Sequence, residues 1–186
     1  MRRSLILGAL MSLLLGLFAA TSTAAATPGG VAAPAGWTKV TEPADVPAGV
    51  TLYSVANGRY VSTELGYSGA DYAMLRARAL MASRWEQFRL EFRHGATVIK
   101  SRANGRYVSV ETGYRGGNYA MLRAKSHRIG ITEKFTLYYQ PGTGSFAFQS
   151  WANGRFVTTE LRYTGADYAM LRAWAVKIGP RERFVL

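Results

Sequence analysis

Cysteine is absent from this 186-residue chain, and histidine occurs only twice. Without cysteine there are no disulfides, so a folded domain must be held together by its hydrophobic core. His94 and His127 lie at non-equivalent positions of the repeats described below, which argues against a histidine-based catalytic pair and a zinc site of the usual ligands. The sequence therefore predicts no metal and no cofactor, and it favours a protein that is not an enzyme.

Acidic residues are scarce as well: 11 Asp and Glu stand against 23 Lys and Arg, a formal net charge of +12. Such an excess favours an anionic partner, for example a cell-wall polymer, an acidic glycan, a nucleic acid or a membrane surface. The alternative is that the charge serves solubility alone. Basic residues beside aromatic ones, as in Arg59-Tyr60 and Arg106-Tyr107, suit a polyanion, but they form no continuous stripe in the sequence.

The first 26 residues have the pattern of a secretory signal peptide. Arg2 and Arg3 precede an apolar run over residues 5–18, and small residues follow as far as Ala26. This order predicts export with cleavage near Ala26, and the alternative is an uncleaved membrane anchor. Without the two signal arginines, 21 basic residues stand against 11 acidic ones, a net charge of +10. We expect a secreted, soluble monomer without a transmembrane segment in its mature form, which makes nucleic acid the weaker choice of partner.

Residues 27–47 contain four of the six prolines, with alanines and glycines between them. A segment of this composition buries little surface, so we expect a flexible lead-in that forms no strand. Trp37 is its single large aromatic residue.

Three copies of one motif fill residues 48–186, as repeats 48–93, 94–142 and 143–186. Asn-Gly-Arg-(Tyr/Phe)-Val begins at Asn57, Asn104 and Asn153, at spacings of 47 and 49 residues. Met-Leu-Arg-Ala follows in each copy, and each copy ends on Glu-x-Phe at Glu86, Glu133 and Glu182. A unit of this length, present in triplicate, predicts one domain with threefold symmetry.

Each repeat is predicted to contain four β-strands. Asn-Gly between two strand-like runs predicts a tight hairpin in which both turn residues have positive φ. The third strand, Tyr72–Met81, is rich in good helix formers, but Ala73, Leu75 and Ala77 stay apolar in all copies at every second residue, which indicates a strand.

The predicted fold class is all-β, a β-trefoil of three four-stranded repeats, with a β-prism as the alternative. A propeller normally needs at least four blades. In a trefoil, large apolar residues at equivalent positions share one core. The predicted inward residues are Leu52, Ile99 and Phe148; Val61, Val108 and Val157; Leu75, Leu122 and Leu171; and Phe88, Phe135 and Phe184.

The Asn-Gly-Arg-(Tyr/Phe)-Val-x-x-Glu and Met-Leu-Arg-Ala motifs, with Trp85-Glu86-Gln87-Phe88 in the first copy, resemble the fascin-like β-trefoil family. The resemblance is greatest to single-domain versions of secreted bacterial proteins, and it covers residues 48–186. It implies a β-trefoil. Animal members cross-link actin filaments with several trefoils in one chain, so the resemblance also implies a protein-interaction or filament-binding (actin-bundling-like) alternative for this chain.

The loop between the second and third strands is the first candidate binding site. In each copy it supplies two tyrosines and one Asx, with an arginine close behind; flat aromatic faces and planar polar groups suit sugar rings and hydroxyls. Three such loops predict weak sites that gain avidity. The alternative is that glycine and Asx form the turn while the tyrosines pack on the barrel end. The residues are Tyr67, Asp71, Tyr72 and Arg76; Tyr114, Asn118, Tyr119 and Arg123; and Tyr163, Asp167, Tyr168 and Arg172.

Two tryptophans of the third copy are the second candidate. Trp151 replaces Val55 and Arg102, and Trp174 replaces Arg78 and Lys125, so both stand where the fold tolerates charge. We expect them to be exposed, as tryptophans of binding surfaces often are.

Carboxylates offer a third and weaker candidate, a glycoside hydrolase. The pairs are Glu64 with Asp71, Glu111 with Asn118 and Glu160 with Asp167, and the second pair has lost a carboxylate. The sequence thus favours a secreted, non-catalytic binding module for carbohydrate or an anionic surface polymer.

Overall fold

The computed structural model describes residues 32–41, 47 and 49–186. The predicted signal peptide, residues 1–26, lies outside the described residues, and so does much of the predicted lead-in. No helix within the described ranges has the length and apolar character that spanning a membrane requires.

The regular elements of these ranges are short strands and 3-10 turns. The 3-10 turns are Gly69–Asp71, Arg84–Glu86, Gly116–Asn118, Ile131–Glu133, Gly165–Asp167 and Pro180–Glu182. The strands are β1 Thr38–Lys39, β2 Gly49–Thr51, β3 Tyr53–Ser54, β4 Arg59–Glu64, β5 Met74–Ala79, β6 Gln87–Arg93, β7 Ala96–Ser101, β8 Tyr107–Val110, β9 Leu122–Ser126, β10 Phe135–Gln140, β11 Ser145–Ser150, β12 Phe156–Thr159, β13 Leu171–Ala175 and β14 Phe184–Val185.

The first and last strands of the repeats close into a barrel. β6 pairs with β7 and β10 pairs with β11, both antiparallel. β7 also meets β10, β11 meets β14, and β14 pairs with β3 to complete the ring. β2 precedes β3 in the first strand of repeat 1 and pairs with β6. A closed barrel leaves no exposed sheet edge between the repeats.

The two middle strands of each repeat form a hairpin, β4–β5, β8–β9 and β12–β13. The three hairpins meet one another: Met74 pairs with Arg123, Arg76 with Met170, and Met121 with Arg172. This arrangement caps one end of the barrel. The β-trefoil prediction is confirmed, and so is the third strand, where pairing between hairpins overrides the local preference for helix.

The core lies on the predicted threefold layers. All twelve predicted inward residues belong to one cluster of buried side chains, and each is at most 2% exposed. The other face of the third strand is buried as well, because the hairpins pack against one another there. Met74, Met121 and Met170 form a separate buried cluster on the hairpin side, bordered by Tyr67, Tyr114 and Tyr163.

The prediction for the Asn-Gly turns is wrong in one respect. At these turns, within the described residues, positive φ is confined to Gly58, Gly105 and Gly154. The turn is also longer than two residues, since the Gly58 amide donates to the Ser54 carbonyl. The asparagine serves another purpose: its side chain donates to a third-strand carbonyl at 2.8 Å, from Asn57 to Ala77 and likewise in the other repeats.

Three buried alanines have a left-handed backbone that the sequence did not predict. Ala73, Ala120 and Ala169 have φ of 61°, 59° and 60°, and each is 0% exposed. The amide of each donates to a carbonyl of its own repeat, and the carbonyl of each accepts from the next hairpin, as Ala73 does from Ala124 at 2.8 Å. These bonds join the hairpins and offset the strain, which costs about 1–2 kcal/mol for a residue with a Cβ.

The predicted lead-in is not strand-free. Thr38–Lys39 pairs antiparallel with β10, and the Val40 amide donates to the Leu137 carbonyl. Trp37 is buried with Tyr138, Ala147 and Phe156. Hydrophobic anchoring at Trp37 and Val40 overcomes the unfavourable composition of the segment. We call residues 34–40 the strap.

Candidate functional site

The three arginines of the predicted tyrosine loops form a buried ring where the hairpins meet. Arg76, Arg123 and Arg172 are 5%, 5% and 4% exposed. Arg123 donates to the Tyr72 carbonyl at 2.8 Å, the Gly69 carbonyl at 3.1 Å and the Tyr114 hydroxyl at 2.5 Å. It therefore ties its own tyrosine to the loop of the preceding repeat.

The other two arginines repeat this geometry around the threefold axis. Arg76 donates to the carbonyls of Tyr168 and Gly165 and to the Tyr67 hydroxyl. Arg172 donates to the Tyr119 carbonyl at 2.9 Å and to the Tyr163 hydroxyl at 2.5 Å. Because their donors are engaged inside the protein, the arginine ring favours the packing interpretation of Tyr67, Tyr114 and Tyr163.

The remaining loop residues lie nearer the surface. Asp71, Asn118 and Asp167 are half-buried at the ends of the 3-10 turns. Tyr72 is 41% and Tyr168 is 42% exposed, whereas Tyr119 packs partly against the core. These side chains therefore do not gather into one concave site.

Three of the concave surfaces occupy equivalent places, one in each repeat. Each lies between the hairpin and the 3-10 turn that precedes the last strand, and we call them lateral clefts 1, 2 and 3. Their volumes are about 590, 470 and 530 Å³. Their principal polar and aromatic lining residues are Glu64, Tyr67, Arg78, Trp85 and Glu86 in cleft 1; Glu111, Lys125, His127, Arg128 and Glu133 in cleft 2; and Glu160, Arg162, Tyr163, Arg172, Trp174, Arg181 and Glu182 in cleft 3.

The glutamate of each Glu-x-Phe motif is buried at the foot of its cleft. The Glu86 carboxylate accepts from the Ser83 amide at 2.8 Å, and Glu133 and Glu182 accept from Gly130 and Gly179 at 2.7 Å. In repeat 1, Ser62 and the Ser83 hydroxyl also donate to Glu86. Burial alone would raise the pKa of Glu86, but hydrogen bonds from Ser62 and Ser83 outweigh it, and the pKa is lowered.

The second glutamate of each cleft carries an ion pair. Glu64 accepts two hydrogen bonds from Arg78, and Glu111 accepts one from Lys125 at 2.8 Å. In repeat 3 a tryptophan occupies the place of the base, and Glu160 pairs with Arg172 at 3.3 Å. Asp71, Asn118 and Asp167 do not line the clefts, so the carboxylate pairs considered for hydrolysis do not share a cleft.

Two of the clefts carry an exposed tryptophan, from different positions of the repeat. Trp85 is 52% exposed in cleft 1, and Trp174 is 54% exposed in cleft 3. The Arg172 guanidinium lies 4.7 Å from the Trp174 ring centroid, and Tyr119 meets the ring edge-on at 6.0 Å. Trp174 is therefore held in position, although more than half of it faces solvent.

Trp151 lies away from these clefts. It is 38% exposed, its indole N–H donates to the Thr136 hydroxyl at 3.0 Å, and Lys134 lies 5.6 Å from the ring. The structure thus brings together Tyr163, Arg172 and Trp174 among the predicted site residues, and it places Trp151 elsewhere.

Trp85, Arg162 and Arg181 also line the clefts, although they were not among the site residues predicted from the sequence. The signal was available: Arg162 replaces Gly66 and Gly113, while the Trp85 position holds Thr132 and Arg181 in the other copies. The comparison between copies that identified Trp174 finds these residues too. Within the described part of the chain, no three His, Asp or Glu side chains are grouped as a metal site would require.

A closed barrel capped by three equivalent hairpins is the architecture of a β-trefoil, and solved structures show the same fold. The designed three-fold symmetric protein ThreeFoil matches with a TM-score of 0.61 at 18% identity, over 75% of this chain and 97% of its own. The BEL β-trefoil matches with a TM-score of 0.57 at 15% identity, over 74% of this chain and 90% of its own.

A third structure is much longer than this chain. It is the endo-β-galactosidase from Clostridium perfringens that releases GlcNAcα1-4Gal, with a TM-score of 0.57 at 14% identity, over 73% of this chain and 31% of the enzyme. At these identities the likeness shows the fold alone. The sequence matches no protein-family model, and no curated protein matches it.

Proposed function

We propose that this protein is a non-catalytic carbohydrate-binding module that uses lateral clefts 1 and 3. The observation that carries the proposal is the exposed tryptophan in each of these clefts, beside fixed hydrogen-bonding groups. An indole face suits the CH surface of a sugar ring, and neighbouring charged groups suit its hydroxyls. Two clefts on one rigid domain add avidity on a polymer that presents many sugars.

The absence of catalysis is part of this proposal. The cleft glutamates already accept hydrogen bonds from backbone amides or pair with bases. A general acid needs a carboxyl whose pKa is raised, whereas the pKa of Glu86 is lowered. A polysaccharide hydrolysis assay on the wild-type protein checks this point, and the expected product yield is nil.

We also propose that the chain is a fascin-like trefoil of the single-domain type, secreted by a cleavable signal peptide. The motifs beginning at Asn57, Asn104 and Asn153 and the pattern of residues 1–26 support this. The mass of the protein collected outside the cell tests secretion: cleavage near Ala26 predicts the loss of residues 1–26.

A glycan array tests the proposed function, followed by titration of the glycans that bind. Trp85→Thr and Trp174→Lys install the residues of repeat 2, so the fold already accepts these side chains at equivalent positions. Each change is expected to weaken binding about tenfold, because stacking contacts of this kind are worth roughly 1–1.5 kcal/mol. The matched control is Trp151→Val, the residue of repeat 1, outside the clefts. If no glycan binds, or if both cleft variants bind like wild type, the proposal is wrong.

A protein-interaction module is the second candidate, and one loop favours it. Leu80 and Met81 are 74% and 80% exposed and lie in the loop before the 3-10 turn that carries Trp85. Apolar side chains exposed to this extent often mark a protein-binding surface. Co-sedimentation with actin filaments, wild type against Leu80→Ser with Met81→Ser, tests the filament-binding version; loss of pelleting in the variant alone supports it.

A further inference from the structure

Lateral cleft 3 differs from its two counterparts at three wall positions. Arg162 stands where the other repeats have glycine, Trp174 where they have Arg78 and Lys125, and Arg181 where they have Trp85 and Thr132. The fold is formed by all three copies, so it does not require these residues. Their concentration in one cleft points to a ligand that clefts 1 and 2 do not share.

The new arginines have charge available for a ligand. Within the residues that the structure describes, the salt bridges include neither Arg162 nor Arg181. The third arginine of the cleft, Arg172, is already paired with Glu160 and bonded to the Tyr163 hydroxyl. Glu182, the other acid, accepts from the Gly179 amide.

Trp174 also borders a second cleft of about 440 Å³. Arg155, Val176 and Lys177 line this flanking cleft, which shares Trp174, Ala175 and Glu182 with cleft 3. The two together present five basic side chains and two acidic ones. Cleft 1 by contrast is lined by one arginine and two glutamates, and cleft 2 by one lysine, one arginine and two glutamates. Neither of them has an excess of positive charge.

We propose that cleft 3 and the flanking cleft bind an extended acidic polysaccharide, of the polyuronate type, that passes over Trp174. This inference rests on the proposed carbohydrate-binding function and specifies the ligand of one site. One sugar ring stacks on the exposed part of the indole. Carboxylates of neighbouring sugars pair with Arg162 and Arg181 on one side and with Arg155 and Lys177 on the other.

The decisive variant is Trp174→Lys, because it separates stacking from charge. It adds one positive charge to the site and removes the aromatic surface. If polyuronate is held by charge alone, this change strengthens binding; if a sugar ring stacks on Trp174, it weakens binding about tenfold. The second variant, Arg162→Gly with Arg181→Thr, restores the residues of repeat 2 and is expected to weaken binding at least tenfold.

Polygalacturonate is the probe, measured by titration at low salt against its fully methyl-esterified form. The ester keeps the sugar rings and removes the negative charge, so it is expected to bind at least tenfold more weakly. Polyacrylate, which has carboxylates and no sugar ring, is the third probe, and it is expected to bind more weakly than polygalacturonate. Equal binding of polyacrylate and polygalacturonate, or undiminished binding of Trp174→Lys, overturns the inference.

Trp151 supplies the internal control, because it lines neither cleft 3 nor the flanking cleft. Trp151→Val is expected to leave polygalacturonate binding unchanged. If neutral glycans bind through Trp85 while the three cleft-3 substitutions leave acidic glycan binding unchanged, the inference fails and the proposed function stands. If neither neutral nor acidic glycans bind, both fail.

Discussion

Replacing Arg123 by methionine tests whether the tyrosine loops pack or bind. Methionine keeps an unbranched apolar stem of similar length and removes the guanidinium. The side chain is 5% exposed and donates three hydrogen bonds, to the Tyr72 and Gly69 carbonyls and the Tyr114 hydroxyl. Its loss leaves those three acceptors without their partner at the junction of two repeats.

The expected loss of stability is large. Hydrogen bonds from a charged donor contribute about 1.5–3 kcal/mol each, and the lower figure applies because the loop acceptors regain some water. Three such bonds give about 4–5 kcal/mol, a large fraction of the roughly 5–15 kcal/mol that stabilises a domain of this size. Urea denaturation followed by circular dichroism measures the difference, provided that the slope of the transition stays unchanged.

The matched control is Arg93→Met, the same substitution at an arginine outside the ring. The Arg93 side chain is 56% exposed, and its partner Glu91 keeps Arg89 nearby, so this change is expected to leave the midpoint of unfolding unchanged. An Arg123→Met protein that unfolds within 1 kcal/mol of wild type would refute the arginine ring as a structural element. In that case the tyrosine loops would again be candidates for binding.

Three further predictions follow from the fold. Ala120→Val is expected to lower stability by about 3 kcal/mol in thermal denaturation, because a β-branched residue strongly disfavours φ near 59° and the site is fully buried. Ala120→Gly, the control, is expected to stay within about 1 kcal/mol of wild type, because glycine adopts this φ freely. The pKa of Glu86 is lowered in the folded state, so its contribution to the free energy of unfolding is complete above the unfolded pKa and is lost as the pH falls through the folded pKa. Urea denaturation at a series of pH values from 6 down to about 2 is expected to show this loss of stability. Glu86→Gln is expected to make the stability depend less steeply on pH. Trp37→Ala is expected to lower the free energy of unfolding by about 3 kcal/mol in urea denaturation at neutral pH, since the indole is buried. An unchanged midpoint would contradict the docking of the strap.

The fold could be predicted because the three copies act as independent evidence on one structure. At the third strand, a single copy favours helix, since Ala73, Met74 and Leu75 are all good helix formers. Comparison of the copies reveals alternation, and the alternating positions face the barrel core. Local propensity is weak beside burial of this kind.

The Asn-Gly turn has features that comparison of the copies does not predict. The motif located the hairpins, but the sequence does not specify that Asn57 uses its side chain on Ala77 of the third strand. The left-handed alanines are hidden for a similar reason, because hydrogen bonds between hairpins, which the sequence does not display, hold them there. Both features depend on contacts between segments that are distant along the chain.

The candidate site was predicted in part, and repetition itself explains why. The tyrosine loops were predicted to bind a ligand because their pattern occurs in all three copies. In the structure, however, Arg76 bonds to Tyr67 of its own repeat and to Tyr168 of the third repeat, so the repeated residues join one hairpin to another. The cleft residues lie at positions where the copies disagree, such as Arg162 and Trp174. In a symmetric fold, agreement between copies therefore reports packing, and disagreement is the better guide to a ligand.

The strap gives a physical basis for the difference between cleft 3 and the other two clefts. Trp37 packs in the cluster with Phe156, and Ala175 and Ile178 lie against the same cluster. Those two residues flank Val176 and Lys177 of the flanking cleft, and Ala175 directly follows Trp174. The strap thus supports, from inside, the segment that carries the exposed indole. Since such a strap is found only on this side of the described domain, loss of Trp37 packing should loosen cleft 3 before cleft 1, and acidic-glycan binding should weaken in Trp37→Ala while Trp85-dependent binding persists.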